Sequence, residues 1–303
     1  MFICKSKNSY SFMRKILFLF LFLLFAIHIN AQPFFDLFSV SHQTSFPLFK
    51  AKDGRTELNS AYSAVDLSVP IKLKDDFLVF SPGYENNFIS FRDTTNSYSI
   101  HGYKLPVAYV HKWKAKQWKS TVLGIARLNT LSKNNWNKNS LQYGGAFVMA
   151  YEKKTNLTYK FGVYYNSEFF GPFIIPLLGI DYRPNDRLKI FGILPGSMNL
   201  EYKFSKLLRG GFLFRSLTSS YRTESNQFLR VNDNQLKAFF DFYLAKNHVI
   251  SVEAGHSILR EIKPGVRIDG ESTYTDIKTS DGLLLKISYA FRLRLDEEGT
   301  VKK

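Results

Sequence analysis

Residues 283–295 read LLLKISYAFRLRL, and this stretch decides the fold class. Its odd-numbered residues, from Leu283 to Leu295, are all apolar, whereas Lys286 and Arg292 lie among the even-numbered ones. Successive side chains of a β-strand point to opposite faces, so this alternation predicts a strand with one oily face and one wet face. The stretch is long enough to cross a membrane as a strand, which takes about 9 to 11 tilted residues, whereas ordinary sheet strands average about five or six.

The same alternation recurs along most of the chain, and no sustained helical period interrupts it. Clear examples lie at residues 65–73, 157–165, 198–204 and 236–244. A soluble sandwich or lipocalin-like barrel also has alternating strands, and the length of the segments favours a membrane. The sequence therefore predicts an all-β fold, a closed antiparallel transmembrane β-barrel of about 14 strands. A barrel of about 12 strands is the alternative, because the weakest predicted strands are residues 34–44 and 118–129.

The connections between the predicted strands differ in length. Short joins occur at residues 74–76, 115–116, 153–156, 184–186, 206–209 and 246–247, and longer polar joins occur near residues 45–59, 92–101, 130–140, 166–173, 222–235 and 260–281. Outer-membrane barrels have short periplasmic turns and longer external loops, so the two sets are assigned to the periplasmic rim and the cell exterior. The tight turn Pro195-Gly196-Ser197 is an exception, because it lies where a long loop is expected. An even number of strands places both termini in the periplasm.

The N-terminal segment has the features of a secretory signal peptide. Four cations precede the apolar run 16–27, and Ala31 supplies the small residue before a cleavage point. The run is shorter than the roughly 20 residues of a membrane-spanning helix, so cleavage is favoured over a retained anchor. The only cysteine, Cys4, lies before this run, which excludes disulfides and cysteine-ligated metals from the exported chain. The predicted regions are a signal peptide at 1–31, the barrel at 32–295 and a short charged tail at 296–303.

The basic character of the chain indicates its partners. The formal net charge is +16, and the exported part stays basic after the four signal-peptide cations are removed. An exported basic protein meets lipopolysaccharide phosphates and anionic lipids, and no nucleic-acid-binding motif is present. The predicted partners are outer-membrane lipid and lipopolysaccharide. The outer-membrane assembly machinery is a third, because the last strand resembles its C-terminal recognition signal, with Phe291 near the end.

Three segments carry a resemblance to a known family. They are Gly179–Asp186, Gly192–Gly196 and Asn199–Tyr202, which read GIDYRPND, GILPG and NLEY. Together with the Ala31-Gln32 junction, they resemble a family of bacterial outer-membrane β-barrel proteins that carries a domain of unknown function over nearly the whole exported chain. The resemblance implies a barrel and implies no activity. In physical terms, the proline and the Asn-Asp pair of the first segment set a tight turn between two strands.

A search for catalytic motifs finds little. The sequence has no G-x-S-x-G, no H-E-x-x-H, no phosphate-binding glycine loop and no dinucleotide fingerprint. His256 beside Ser257 is the only suggestive pair, and adjacent strand residues point to opposite faces. We therefore expect no enzyme, no catalytic residue, no metal and no cofactor. The histidines considered are His42, His111, His248 and His256.

The charged residues on the wet faces form the candidate site. Bases are in excess among them, so they would form either a water-filled pore that prefers anions or a locked network of salt bridges that fills a structural barrel. The width expected for about 14 strands lies between filled eight-stranded barrels and open porins, which favours the pore. The residues expected to line the lumen are Lys72, Lys160, Arg183, Glu201, Lys203, Arg215, Lys237, Asp241, Glu253, Lys286, Arg292 and Arg294.

Three functions follow in order of preference. The first is a passive or selective channel for small solutes, anionic ones included. The second is a structural or adhesive barrel that acts through its external loops, and the third is a lipid-modifying outer-membrane enzyme. Basic residues in the long joins are candidates for binding lipopolysaccharide phosphates, although such residues are more often a solvated rim. They include Lys133, Lys138, Arg222 and Arg230.

Overall fold

A computed structural model describes residues 33–47, 56–91, 97–131, 140–223, 226–275, 277–279 and 282–295. The strands are β1 (Phe34–Pro47), β2 (Leu58–Leu67), β3 (Val69–Leu73), β4 (Asp76–Phe80), β5 (Gly83–Phe91), β6 (Ser97–Lys112), β7 (Trp118–Thr130), β8 (Leu141–Lys154), β9 (Leu157–Glu168), β10 (Gly171–Tyr182), β11 (Leu188–Leu194), β12 (Ser197–Lys203), β13 (Leu208–Arg222), β14 (Gln227–Tyr243), β15 (His248–Ile268), β16 (Glu271–Tyr274), β17 (Ile277–Lys278) and β18 (Gly282–Arg294). The predicted signal peptide and charged tail lie outside the described residues. No helix in the described part of the chain is long and apolar enough to span a membrane.

The strands form one closed antiparallel barrel. Each wall strand pairs with the next along the chain, and β18 pairs with β1 to close the circle. The pairs β2/β3 and β4/β5 each make one interrupted wall strand, and β16 and β17 belong to the connection between β15 and β18. The wall therefore has 14 strands, which confirms the predicted count. Both weakly predicted strands are present, as β1 and β7.

The outer face of the wall is apolar. On β2 and β3, every second residue from Val65 to Leu73 is an exposed aliphatic side chain, and on β9 every second residue from Tyr159 to Tyr165 is an exposed aromatic or aliphatic one. Monomeric soluble proteins rarely expose contiguous apolar patches larger than a few hundred Å². A belt of this kind around a closed barrel fits the hydrocarbon layer of a membrane, with alternate residues pointing into the barrel.

Both ends of the described chain lie at the same end of the barrel, which we name the terminal end. There Leu295 N donates a hydrogen bond to Pro33 O. The opposite end, which we name the loop end, does not carry uniformly long loops. The long join predicted near 166–173 is wrong, because β9 and β10 are joined by residues 169–170 alone, and residues 222–235 are mostly strand. Polar residues predicted as loop instead continue as paired strands.

Wall strands differ greatly in length. β11 and β12 have 7 residues each, whereas β14 has 17 and β15 has 21. The turn at 195–196 therefore lies well below the loop end. Within the described residues, positions 171–177 of β10 pair only with β9, and positions 216–222 of β13 pair only with β14.

Above the short β11–β12 hairpin, the end of the β13–β14 hairpin bends into the barrel. Alternation places Ser220 on the outer face of β13, yet its hydroxyl donates to Glu168 on the inner face of β9. On the other face of the same hairpin, Tyr221 packs with Leu58 and Ile100 of the opposite wall. This hairpin thus crosses the mouth of the barrel instead of continuing the cylinder.

Candidate functional site

The loop end of the lumen is sealed by an apolar cluster. Its buried members come from opposite sides of the barrel, and we name the cluster the loop-end seal: Leu58, Ile89, Phe91, Ile100, Tyr221, Leu229 and Ile262. Beside it lies a polar layer in which Arg127 binds Glu168 at 2.7 Å and Gln142 donates to Glu168 at 3.0 Å. The wall itself therefore closes this end of the barrel.

The terminal end is narrowed in a similar way. Phe77 on the inner face of β4 is buried in a cluster with Leu293 and Leu295. These two leucines continue the apolar alternation of residues 283–295, but they are buried instead of facing outward. The ends of β1 and β18 thus turn inward beyond Ser68, where pairing of β1 with the second wall strand stops.

Ion pairs cross the interior on one side of the barrel. Arg294 of β18 makes a bidentate contact with Glu201 of β12, with distances of 2.7 and 3.0 Å. Arg209 of β13 donates to the same carboxylate at 3.0 Å. All three side chains are buried. Since β12 and β18 are not neighbours in the wall, this cluster fills part of the lumen.

A second set of ion pairs extends the same region. Arg292 binds Asp36 of β1 at 2.6 Å and Asp241 of β14 at 2.7 Å, so it joins strands on both sides of β18. Glu253 pairs with Lys237 at 2.5 Å and with Lys286 at 2.8 Å. We name this region, formed by the two sets of ion pairs on β1, β12–β15 and β18, the ionic half. Buried charges are tolerated when each is paired in this way.

The inner face of β7 to β10 is mostly apolar in its middle part, in contrast to the charged ionic half. Strand register places Ile175 level with Tyr164 and Leu177 level with Gly162, and the rows continue across β8 to β7. The inward apolar side chains in these rows are half-buried, so they border open space instead of packing against the opposite wall. We name this surface the apolar wall, formed by Leu123, Ile125, Val148, Phe173, Ile175 and Leu177.

The predicted lumen residues take several positions. Lys160 is buried beside the apolar wall and pairs with Asp181 at 2.7 Å. Lys72 and Arg183 are exposed at the terminal end, and Lys203 is half-buried at the end of β12. Arg215 is exposed on the inner side of β13, beside the turn at 195–196, and forms no ion pair within the described residues. The other predicted residues belong to the ionic half: Glu201, Lys237, Asp241, Glu253, Lys286, Arg292 and Arg294.

Sequence reasoning did not single out two parts of this interior. The first is the pair Asp36 and Arg209, which complete the buried ion pairs. The second is the apolar wall, whose signal was the segment 173–178, FIIPLL, which is apolar on both faces. A strand with two apolar faces is unusual for a barrel with a wet lumen.

The residues considered for catalysis and lipopolysaccharide binding do not come together in one site. His256 is exposed on the outer face of β15, whereas Ser257 is buried on the inner face and donates to Asp233. Arg222 stacks over Phe169 at the loop end. Arg230 stacks over Phe170 and Tyr274, and Lys133 and Lys138 lie outside the described residues. Among the described residues, no group of three His, Cys, Asp or Glu side chains could hold a metal ion.

A closed barrel with an apolar outer belt and a charged interior defines the class of membrane-spanning β-barrel proteins. Residues 86–269 match the family described as Domain of unknown function (DUF6268), and the chain belongs to this family. No curated protein is similar in sequence at a significant level.

Several solved barrels are similar to this chain in structure. The COG4313 outer membrane channel from Pseudomonas putida F1 is 9% identical, with 84% of this chain and 94% of that chain covered and a TM-score of 0.44. The TodX monoaromatic hydrocarbon channel deltaS2 mutant is 9% identical, with 86% and 90% covered and a TM-score of 0.42. The NanC porin is 9% identical, with 84% and 100% covered and a TM-score of 0.39.

Proposed function

We propose that this protein is an outer-membrane channel for small solutes, and that the solutes move along the apolar wall. The observation that carries the proposal is the unequal packing of the interior. Most side chains of the ionic half are buried and fix one side of the barrel, whereas those of the apolar wall are half-buried beside open space. A barrel that served only as a rigid scaffold would be more stable if both sides of its interior were packed, since protein interiors are normally close-packed.

Anionic solutes fit the charge of this passage. Arg215 is an exposed inward cation whose charge is not balanced by an ion pair within the described residues. Lys237, Lys286 and Glu253 lie near it, so this group combines three cations with one carboxylate and keeps an excess of positive charge. An inward-facing excess of positive charge raises the local concentration of anions.

The conformation described is a closed one. The loop-end seal lies across the mouth, and Tyr221 of the β13–β14 hairpin contributes its largest side chain. Opening therefore requires this hairpin to move away from β2, β5 and β6. Along its β13 edge the hairpin is held by side chains, among them Ser219, which accepts a hydrogen bond from Arg127 at 3.4 Å. Its β14 edge stays paired with the end of β15, so opening requires the two to move together.

The experiment that tests the channel is conductance in a planar bilayer. We expect discrete openings that favour chloride over potassium, and we expect Tyr221→Ala to raise the open fraction because it thins the seal. The matched control is Phe240→Ala, which removes an exposed aromatic ring from the outer face of the adjacent strand. A heat-modifiable, folded barrel in which neither the parent nor Tyr221→Ala ever conducts would overturn the proposal.

A structural barrel is the second candidate, and the ionic half is the observation that favours it. Ion pairs such as Arg294–Glu201 cross the lumen and would stiffen a scaffold. In that case the function would lie in the loops and in contacts with lipopolysaccharide, the assembly machinery or other surface partners. Folded protein that never conducts, combined with loss of function when external loops are exchanged, would support this alternative.

A further inference from the structure

The barrel wall has an opening on its side, between β10 and β13. The turn at 195–196 ends the hairpin that separates these two strands, and the last hydrogen bond at this level runs from Ser216 N to Gly196 O. Above it, residues 171–177 of β10 and 216–220 of β13 have no neighbour between them among the described residues. We name this opening the lateral gap.

The dimensions of the lateral gap follow from strand geometry. At its base, β10 and β13 are three interstrand spacings apart, which is about 14 Å. At its top they meet, because Ser220 Oγ accepts a hydrogen bond from Phe169 N at 2.7 Å. The gap is therefore a triangle whose free side on β10 is seven residues, roughly 23 Å, long. An opening of this size passes an acyl chain or a small ring system.

The free edge of β10 is adapted to stay unpaired. Gly171 pairs with Glu168 across a two-residue turn, so the odd-numbered residues of β10 direct their backbone groups toward β9. The backbone groups of residues 172, 174 and 176 consequently face the lateral gap, and two of these residues are Pro172 and Pro176. Proline has no N–H and cannot donate to another strand. The edge is thus blocked against a partner strand and leaves few unsatisfied donors facing lipid.

The lateral gap joins two apolar surfaces. On the membrane side, Ile174 and Leu178 are 65% and 66% exposed. On the lumen side, Ile175 and Leu177 belong to the apolar wall, and Leu217 of β13 is 44% exposed opposite them. Register places Ile174 level with Tyr165 and Leu178 level with Phe161, both on the exposed apolar belt. The gap therefore opens into the hydrocarbon layer instead of the aqueous exterior.

We propose that the lateral gap is a side exit through which small amphipathic molecules, with an apolar body and one anionic group, pass between the lumen and the membrane. This inference rests on the proposed channel function and names its substrate class. The apolar body moves along the apolar wall and through the gap without meeting a charged barrier. The anionic group is met by Arg215, which is exposed beside the base of the gap.

The test closes the lateral gap with a chemical bridge. Pro176 and Thr218 lie at the same level on its two sides, since Leu178 is level with Leu194 and Ser216 binds Gly196. Both are changed to cysteine in the exported chain, which has no other cysteine. The folded protein is then joined with a flexible bis-maleimide that reaches up to roughly 14 Å, the width of the gap at its base. The bridge is added after folding, so bridged and unbridged samples share one fold.

A matched control uses the same reagent over intact wall. Register places Val122 of β7 level with Pro176, three spacings away across β8 and β9. The pair Val122→Cys and Pro176→Cys, joined by the same reagent, bridges a closed part of the sheet. Both pairs carry the Pro176→Cys change, so the comparison isolates closure of the gap.

The readout is fluorescence quenching inside the lumen. Val148→Trp places the reporter on the apolar wall in a chain whose three tryptophans, Trp113, Trp118 and Trp136, are changed to phenylalanine. The protein is reconstituted in phosphatidylcholine vesicles, and stearic acid carrying a nitroxide near its methyl end is added to the membrane. We expect quenching that slows at least tenfold with the gap bridge and is unchanged by the control bridge.

Two results would overturn the side exit: equal quenching rates with both bridges, or no quenching in the unbridged protein. Conductance of the unbridged protein separates this inference from the channel. Conductance without quenching contradicts the side exit and leaves the channel standing. Quenching that is blocked by the gap bridge, in a protein that never conducts, supports the side exit and contradicts the channel.

Discussion

The ionic half and the apolar wall face each other across one lumen, yet their inward side chains differ in charge and in packing. In the ionic half, Glu201 and Glu253 each bind two cations, so these buried charges are neutralised by partners on adjacent strands and, for Arg294, on a non-adjacent strand. Along the apolar wall, side chains such as Ile175 face open space and do not pack against the opposite side of the barrel. The difference indicates that one side supplies rigidity and the other supplies a surface for passing molecules.

The largest decrease in the free energy of unfolding is expected for a substitution at the centre of the ionic half. Glu201→Gln removes the carboxylate that Arg209 and Arg294 share and leaves two buried guanidinium groups without their counter-charge. Loss of one partner of a buried pair costs about 3–5 kcal/mol. We expect this decrease in the free energy of unfolding, measured by urea titration in lipid vesicles.

A matched control for this change is Glu271→Gln, because Glu271 is exposed on β16. Exposed substitutions usually change stability by less than about 0.5 kcal/mol. Equal stability of the two variants would mean that the interior of the ionic half is wet, and the contrast with the apolar wall would disappear.

An intermediate effect is expected for Lys237→Met. This change removes one of the two cations on Glu253, but Lys286 remains 2.8 Å from the same carboxylate. The remaining ion pair limits the loss to about 1–3 kcal/mol, the cost of an incompletely satisfied buried group. Urea titration of the single variants and of Lys237→Met with Lys286→Met measures the coupling, and strictly additive losses would show that the two lysines do not share Glu253.

A smaller effect is expected on the apolar wall. Ile175→Ala removes aliphatic surface from a half-buried side chain, so the loss is about 1 kcal/mol or less. Leu284→Ala is the comparison, because Leu284 is fully buried and truncation of such residues costs about 2–5 kcal/mol. A loss for Ile175→Ala as large as that for Leu284→Ala would show that the wall is packed and that no passage runs beside it.

The smallest effect on stability is expected at Arg215. Arg215→Gln should leave the unfolding free energy within about 0.5 kcal/mol, since the side chain is exposed. It should nevertheless reduce the preference for chloride, measured as a reversal potential across a salt gradient. Lys206→Gln, in the turn at 204–207, is the control that should change neither quantity.

Salt concentration provides a second test of whether Arg215 causes the chloride preference. Near 1 M salt the Debye length is about 3 Å, so the difference between the parent and Arg215→Gln should vanish. A chloride preference that persists at high salt in both proteins would assign selectivity to other residues.

The sequence predicted the wall better than the interior. Alternation in segments such as 157–165 is a local property, and it identified which side chains face outward. The partners of Arg294 depend on closure of the whole barrel, because Glu201 is 93 residues away on a strand that is not adjacent. No local pattern contains that information.

The sequence contains local features of the lateral gap, but their role depends on the strand register. Pro195-Gly196 marked an early turn, and Pro172 and Pro176 interrupted an apolar run. Each is compatible with an ordinary strand end. Only the register of β10 and β13 shows that the prolines face a missing neighbour.

The seam between the first and last strands has a consequence for biogenesis. Asp36 and Arg292 are 256 residues apart, and they meet only when β18 is laid against β1. Until then Asp36 and Asp241 lack Arg292, and Glu201 has Arg209 but lacks its second partner, Arg294. A chain that lacks β18 would therefore leave Asp36 and Asp241 without Arg292, so we expect stable closure of the barrel to require the last strand.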